Sequence, residues 1–571
     1  MKTTPNVFRS VHPDLELPHI DLVTDVFSNP YHVPASTIIL IDPVSQRNYT
    51  FATVIQRVKS LAHGLRELGV KEGDVVGLFS PNTIDYAIIC FAVVGCGAVF
   101  SPISAALTAQ ELRDQLETAQ AAYLVADSAL MPIARTAGEG LKHIRHIVQA
   151  DGQTSIAGVK TADMMASNCP ATSLYTISPS EAITRPALLC FSSGTTGKAK
   201  GTLISHFNVT SNMRQMNTHR QRNYSAVGQT QIAFLPMSHI YGLHNYLCCS
   251  LQQGATVVVL RQFSLEGFLG AVERYRPVDL EVVPPVALLL AKNPKVEEYD
   301  LSSVRFIMSA AAPLSRELAL AVEARFEGQW GREVRCWQAF GLSECSPAVT
   351  TLPLSASGSE RRFTVGSILP NLRMRVVDPE TEVDVGVGVG EGGWTEAGEI
   401  WIAGPNVFLG YLRNAEASQG AFSVEADGTR WYRTGDVGRV SVDGEGYLEI
   451  LDRLKEMIKF KGSQVIPSEL EAKLLQHPYI MDCAVLGKWV EEQATELPVA
   501  FVVLIPEAMS EGPGTAVEEI HVWFNAQVAS YKRLRGGIRV VDVIPKSPSG
   551  KILRRQLKFV LKEEAVRLAK L

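Results

Sequence analysis

With 571 residues the chain is too long for one ordinary domain, and about two to four folding units are expected. It is 46% hydrophobic and 20% charged, which is enough apolar material for a sizeable core. A net charge of −5, from 54 basic and 59 acidic residues, leaves no footprint for coating a polyanion such as nucleic acid, so any phosphate site is local.

Met1 to Pro18 holds Lys2 and Arg9 but no apolar run after them, and no secretory leader is expected. Phe51 to Leu68 carries apolar residues at helical spacing and stops at Gly69. Asp74 to Phe79 reads as a short buried strand, and the segment around Ile84 to Val94 as a helix. The stretch from Tyr86 to Gln110 has no charge and is long enough to span a bilayer. Gly95, Gly97, Ser101, Pro102 and Ser104 break it where a buried helix would hand over to a buried strand, so no transmembrane span is expected. Ala122–Ala126, Ala187–Phe191, Ala255–Leu260 and Leu280–Val283 repeat the buried-strand signature between helical patterns, which is α/β layering around largely parallel sheets. The nine scattered cysteines lack a CxxC spacing and read as buried small hydrophobes in a reducing compartment, the adjacent Cys248 and Cys249 included.

The texture changes near Thr364. From there to Ile450 the patterns are shorter and alternating, and Arg439–Val442, Asp443-Gly444 and Tyr447–Ile450 read as a hairpin. After Asp452 a compact module begins. Ser468-Glu-Leu-Glu471, with Pro467 before it, reads as a capping box opening a helix that ends near His477. Strands are expected at 482–487, 498–505 and 538–543, with helices at 516–529 and after Lys551. The expected fold class is α/β: a large N-terminal domain over 1–451 of α/β-layered sheets, β-rich over 364–451, and a small α+β C-terminal domain over 452–571. There is no internal repeat and no low-complexity tract.

The strongest local signal follows a buried strand: Ser192, Ser193, Gly194, Thr195, Thr196, Gly197, Lys198, Ala199, Lys200 and Gly201. Small residues let the backbone approach a phosphate chain, the hydroxyls and turn N–H groups donate, and Lys198 or Lys200 supplies charge. The spacing is not that of a Walker A loop. Further along stand Leu235-Pro-Met-Ser-His-Ile-Tyr-Gly242, Ser309-Ala-Ala-Ala-Pro-Leu314, Gln338-Ala-Phe-Gly-Leu-Ser-Glu344, Tyr432-Arg-Thr-Gly-Asp436, Asp452 to Gln464, and Pro545-Lys-Ser-Pro-Ser-Gly-Lys551.

In this order and over this span, the segments resemble the adenylate-forming superfamily, which includes acyl-CoA synthetases, coumarate–CoA ligases, luciferases and peptide-synthetase adenylation domains. The coumarate–CoA ligase branch is the most similar. The resemblance implies an ATP-dependent ligase that makes an acyl-adenylate from a carboxylic acid and then an acyl-CoA thioester, with ATP, Mg²⁺ and coenzyme A as partners of the reaction. It implies nucleotide contacts from the phosphate loop, Gln338, Ala339, Phe340, Gly341, Ser343 and Lys459. Glu344 would hold Mg²⁺, a hard cation that takes carboxylate and phosphate oxygens. Asp436 would take both ribose hydroxyls, helped by Arg453. Lys551 would bring the attacking carboxylate and the phosphate together.

For the second half-reaction the resemblance implies a mobile C-terminal domain that swings about Lys455 and brings in Lys461, Gly462 and Gln464 for CoA, as well as Lys459. His239, Tyr241 and Asn245 align with the family's acyl-pocket wall, with Ala310, Ala312 and Ala339 beside it and His239 also among the catalytic candidates. No Asp lies between Pro236 and Tyr246 to balance a substrate ammonium, so a free amino acid is a poor substrate. Ala310 and Ala339 stand where coumarate–CoA ligases usually carry glycines, an intrusion typically costing about 1–3 kcal/mol in a full pocket. That favours a slimmer aliphatic chain or a differently tilted aryl acid over hydroxycinnamate. Gln262 stands where relatives place a CoA-contacting lysine, for which Arg261 is the substitute, and Ser343 replaces the usual Thr while keeping the hydroxyl.

Ala569-Lys570-Leu571 is a conservative variant of the Ser-Lys-Leu peroxisomal address, readable by an import receptor; an ordinary helix end is the alternative, with a cytoplasmic location. Two rival functions are an adenylating enzyme loading a carrier protein and a non-catalytic ligand-binding relative. Lys551, Glu344, Asp436 and the whole phosphate loop weigh against the second.

Overall fold

The structure is a computed structural model that describes residues 6–152, 160–192, 200–223, 228–353, 360–386, 393–461, 463–493, 495–547 and 550–568. Ser193 to Ala199, Gly462 and Ala569 to Leu571, all singled out above, lie outside these residues, as do the side chains of Ser192 and Gln464.

The organising element is a seven-stranded sheet. In spatial order it runs Gly410–Tyr411, Lys200–Ser205, Pro186–Ser192, Val99–Ile103, Val75–Phe79, Tyr123–Ala126 and His146–Gln149. The pairs from Pro186–Ser192 to His146–Gln149 are parallel, and the two at the other edge antiparallel. Apolar residues dominate the central strands because helices cover the sheet; Phe51–Glu67 and Asp85–Gly95 are among them. Every residue of Asp85–Gly95 is buried. Gly97, at φ +89, then turns the chain into Val99–Ile103, with the ring of Tyr175 3.2 Å from where a Cβ would sit. The uncharged stretch from Tyr86 is therefore a helix and a strand, and no helix of the described residues is long and apolar enough to cross a membrane.

Two further sheets carry the motifs. One joins Thr230–Ala233, Thr256–Val259, Ile38–Ile41 and Asn48–Thr50; the other joins Asp279–Val282, Phe306–Ser309, Arg335–Gly341, Ala348–Thr351 and Ser367–Ile368. The β-rich texture after 364 corresponds to a six-stranded sheet containing Arg373–Val377, Gly398–Ala403, Arg430–Val440 and Leu448–Arg453. The hairpin read from sequence pairs Val440 with Leu448 and extends to Asp436 opposite Arg453.

One large core gathers residues up to Leu448, and separate cores begin at Ile458. The small unit holds the hairpin Ile458–Phe460 with Ser463–Val465, and a sheet of Ile480–Val490, Thr495–Leu504 and Ile538–Val540. On one face Leu470, Ile520 and Phe524 pack, on the other Ile544, Leu557 and Leu561. The helix expected over 516–529 begins at Pro513, after a short helix Pro506–Glu511 absent from the sequence reading. All nine cysteines are free, and all but Cys169 are buried.

The capping box expected at Ser468 does not form. Pro467 is the first helical residue, so Ser468 lies inside the helix, and the cap residue Ile466 offers no side-chain bond. The Ser468 hydroxyl instead donates to the Leu451 carbonyl at 2.6 Å, and its N–H donates to Asp452 Oδ2 at 3.1 Å, tying the helix to the last strand of the large unit. Glu471 accepts from the Val485 N–H at 2.7 Å and pairs with Arg554 at 2.6 Å. Arg554 also reaches Glu456 at 3.2 Å and donates to the Val485 carbonyl at 3.2 Å.

Breaking such a buried pair leaves an uncompensated charge. Arg554→Met is expected to destabilise the protein by about 3–5 kcal/mol, and Glu471→Leu added to it to restore much of that. Urea unfolding of the two variants against wild type measures both.

Candidate active site

The ends of the candidate phosphate loop are set by a hairpin. Ser192 pairs with Lys200 at the mouth of the antiparallel ladder between Pro186–Ser192 and Lys200–Ser205. The Lys200 ammonium lies 4.9 Å from the centre of the Tyr411 ring. The Tyr411 hydroxyl donates to Glu344 Oε1 at 2.9 Å. Glu344 is buried in the short turn Ser343–Cys345, and its Oε2 has no hydrogen-bond partner among the described residues. Burial first, and then the charge of Glu344, hold the Tyr411 hydroxyl far above the ordinary tyrosine range, so it stays a donor.

Asp436 sits where the long strand Arg430–Val440 bulges. Thr434 accepts the Asp436 N–H at 3.0 Å, and Gly435, at φ +71, donates its own to Glu399 at 2.9 Å. Asp436 Oδ1 meets Arg453 Nε at 3.0 Å, whereas Oδ2 is buried without a hydrogen bond among the described residues. Burial raises the Asp436 carboxyl, an effect opposed by Arg453 and then by Lys551. The charge of Asp436 in turn holds Arg453 above its ordinary value. A half-satisfied buried carboxylate is a costly feature that a ligand donor relieves.

Lys551 comes from the small unit. The Ser547 N–H donates to its carbonyl at 2.8 Å, and Ser547 Oγ accepts its N–H at 3.2 Å. Gly550, at φ +79, brings the backbone so close to the large unit that a Cβ there would lie 3.1 Å from the Pro285 ring. Burial lowers the Lys551 pKa, as does the neighbouring Arg453, while Glu456 and Asp436 oppose them.

His239 also feels the charge of Lys551. It keeps a little solvent contact, yet protein surrounds the ring on most sides, and its Nδ1 accepts the Tyr241 N–H at 3.2 Å. Tyr241 and Asn245 are buried on the same helix, which widens into a π-turn over Leu243–Cys249. Gln338 has its side chain committed: Oε1 accepts the Leu314 N–H at 2.7 Å and Nε2 donates to the Phe363 carbonyl at 3.1 Å. Ser309 and Gln338 are register partners on parallel strands, so Ala310 and Ala339 follow them side by side, both half-buried. Ala312 and Phe340 are half-buried nearby in sequence, and a Cβ on Gly341 would lie 2.4 Å from the Pro347 carbonyl oxygen.

Other sequence candidates stand apart from this cluster. Lys455, Lys459 and Lys461 are exposed, and the Lys459 and Lys461 N–H groups bond to Glu496 and Thr495 within the small unit, each at 2.8 Å. Arg261 pairs with the buried Asp127 at 2.8 Å. Sequence reasoning assigned nothing to Tyr411, Glu456 or Arg554; Tyr411 lies in a two-residue strand with no local pattern, and the others are single charges whose partners are distant in the chain. The assembly therefore places a lysine, an arginine, two carboxylates and a neutral imidazole around one locus, with Lys200, the described residue after the glycine-rich segment, against Tyr411 beside it. That is the equipment for binding a polyphosphate and moving an anion onto it.

Two family models match the chain: AMP-binding enzyme over residues 29–412, and AMP-binding enzyme C-terminal domain over residues 469–551. The probable 4-coumarate–CoA ligase 2 of Dictyostelium discoideum is 34% identical over 574 residues, covering 97% of this chain and 96% of that protein. The 4-coumarate–CoA ligase 1 of Petroselinum crispum is 35% identical over 560 residues, with 97% and 96% covered. Among solved structures, the anthranilate CoA ligase AuaEII in complex with anthranoyl-AMP matches with a TM-score of 0.83 at 24% identity, over 97% of this chain and 99% of that one. ATP-bound MatB from Rhodopseudomonas palustris matches at 0.80 and 23% identity, over 96% and 99%. These two likenesses speak to the fold.

Burial, helped by Lys551, holds His239 down at about 4, and burial with Arg185 does the same for His206. An unfolded imidazole titrates near 6.5, so the unfolded chain binds these protons more tightly. The stability contributed by the two neutral rings is whole above about pH 6.5 and is lost as the pH falls towards about 4. Melting temperatures across that window are expected to drop, and less steeply in a His206→Gln, His239→Gln protein.

Proposed function

The chain belongs to the AMP-binding enzymes and is an AMP-forming acid–CoA ligase of the coumarate–CoA ligase-like branch, and on that premise we propose how its own residues divide the work. In the first half-reaction a carboxylate oxygen attacks the α-phosphorus of ATP and pyrophosphate leaves. In the second, the CoA sulfur attacks the acyl carbonyl and AMP leaves.

The observation that carries the reading is Lys551, delivered by the small unit to the charges of Asp436 and Arg453 and to His239. There its ammonium holds the incoming carboxylate against the phosphate, removing the repulsion between two anions. Asp436 takes ribose hydroxyls: its buried Oδ2 lacks a donor, and Arg453 fixes the other oxygen. The phosphate loop and Lys200 cradle the triphosphate. Glu344 fits a divalent cation such as Mg²⁺, being a carboxylate with one oxygen tied to Tyr411 and the other left over. Such a cation, when bound, neutralises charge on the phosphates. His239, being neutral at working pH, serves as wall and hydrogen-bonding group for the acyl end rather than as a cation.

For the second half-reaction the small unit turns about Lys455, withdraws Lys551 and presents the exposed Lys459 and Lys461, with Gln464, to the adenylate and CoA. The exposure of Lys459 and Lys461 while Lys551 is half-buried supports this. The acid is a fatty or aryl acid without an amino group and slimmer than a hydroxycinnamate. The support is the absence of Asp from 236–246 and the paired methyls of Ala310 and Ala339 at adjoining strand ends.

Pyrophosphate release with ATP and Mg²⁺, over fatty, aryl and amino acids with and without CoA, tests the reading. Release with a slim aliphatic or aryl acid and formation of its acyl-CoA are expected; release with amino acids alone would overturn the substrate class. Lys551→Ala is expected to slow adenylate formation about 10²- to 10³-fold. The same variant should convert a supplied acyl-adenylate and CoA to thioester within a few-fold of wild type, and equal loss in both steps would remove Lys551 from its assigned role.

A further inference from the structure

Tyr411 stands where three elements of the site meet. Its backbone is laced to the strand that leaves the phosphate loop: Tyr411 pairs with Thr202, and the Leu409 and Leu412 N–H groups donate to the Leu203 and Gly201 carbonyls at 2.9 and 2.7 Å. On the other side, the Phe408 N–H donates to the Glu344 carbonyl at 2.9 Å, and Asn406 Nδ2 to the Cys345 carbonyl at 2.7 Å. The segment thus measures off the distance between the phosphate-loop strand and the Glu344 turn.

The side chain adds direction. Its hydroxyl donates to Glu344 Oε1 at 2.9 Å. A phenol has one proton to give, and here it goes to Glu344. The ring face lies under the Lys200 ammonium at 4.9 Å, a cation–π distance. A lysine or arginine in place of this hydroxyl would also anchor Glu344, but it would cancel the charge that a divalent cation needs. A tyrosine orients the carboxylate and leaves it anionic.

We propose that Tyr411 is a positioning residue for the metal–triphosphate complex: its hydroxyl fixes Glu344 so that the second carboxylate oxygen is free for the cation, while its ring seats Lys200 beside the phosphates. The inference rests on the reading of Glu344 as the cation-binding carboxylate. A purely structural tyrosine would be replaceable by phenylalanine, which keeps the ring contact with Phe408 at 4.9 Å.

Equilibrium ATP binding to the full-length protein separates these readings, titrated with Mg²⁺ and repeated in EDTA, with AMP in EDTA as the control. Tyr411→Phe is expected to raise the Mg²⁺ concentration for half-maximal ATP binding about tenfold, the scale of one hydrogen bond to a charged group, without changing binding of AMP or of ATP in EDTA. Tyr411→Leu, which also removes the seat of Lys200, is expected to weaken ATP binding in EDTA as well. A Mg²⁺ midpoint within twofold of wild type for Tyr411→Phe, or AMP binding that falls in parallel, overturns the proposal. Glu344→Gln is run beside it. If that variant shows a wild-type midpoint, Glu344 is not the cation ligand and the underlying reading fails; if it shifts and Tyr411→Phe does not, only the role of Tyr411 fails. Should Tyr411→Phe not fold, the Mg²⁺ midpoint of Tyr411→Leu is read in its place, with the same rise of about tenfold expected; no shift overturns the proposal.

Discussion

A carboxylate taken out of water needs a cation, and in this protein the need of Asp436 is met by Arg453 at 3.0 Å. The two face each other on the last rungs of the ladder between Arg430–Val440 and Leu448–Arg453, which is also the last secondary structure of the large unit. One ion pair therefore defines both a binding locus and the point from which the small unit departs. Lys551 returns to the same charges, where burial and then Arg453 disfavour its ammonium and Glu456 and Asp436 offset part of that. Two cations held near one buried carboxylate repel each other, and an incoming polyphosphate supplies the counter-charge. On the proposed reading, ligand binding and closure of the small unit would stabilise each other by ordinary linkage.

The sheets make this possible by dividing labour. The parallel core from Pro186–Ser192 to His146–Gln149 is buried and rigid, and its only antiparallel edge carries the phosphate-loop hairpin and the Tyr411 strand. The Gln338 strand presents Ala339 beside Ala310, and its own amide is spent on holding Leu314 and Phe363 in place.

Much of this was legible residue by residue. The helix from Phe51, the handover at Gly97 and the hairpin at Asp443-Gly444 follow from periodicity and turn chemistry, which are local. The motif residues were recognisable because each sits in a biased run of neighbours. What escaped were relations between distant residues. Ser468 and Glu471 satisfied a capping pattern on paper, but Pro467 had already occupied the first helical position, and both side chains went to tertiary partners. Tyr411 offered no pattern at all, because its meaning comes from Glu344 and Lys200 in space. The π-turn at Leu243–Cys249 is likewise a product of packing that no spacing announces.

Arg554 binds Glu456 beside the connection between units, Glu471 on the first helix of the small unit and the Val485 carbonyl on its central sheet, and it stands three residues after Lys551. The small unit is thereby cross-braced from its entry point to its catalytic loop. A braced body attached by a short tether can offer one face or another to a partner, but never two at the same time. With Lys551 inward, Lys459 and Lys461 point to solvent. On the proposed assignment of Lys551 to adenylate formation and of Lys459 and Lys461 to thioester formation, a stiff body of this kind would serve one step in one orientation and the other step in another.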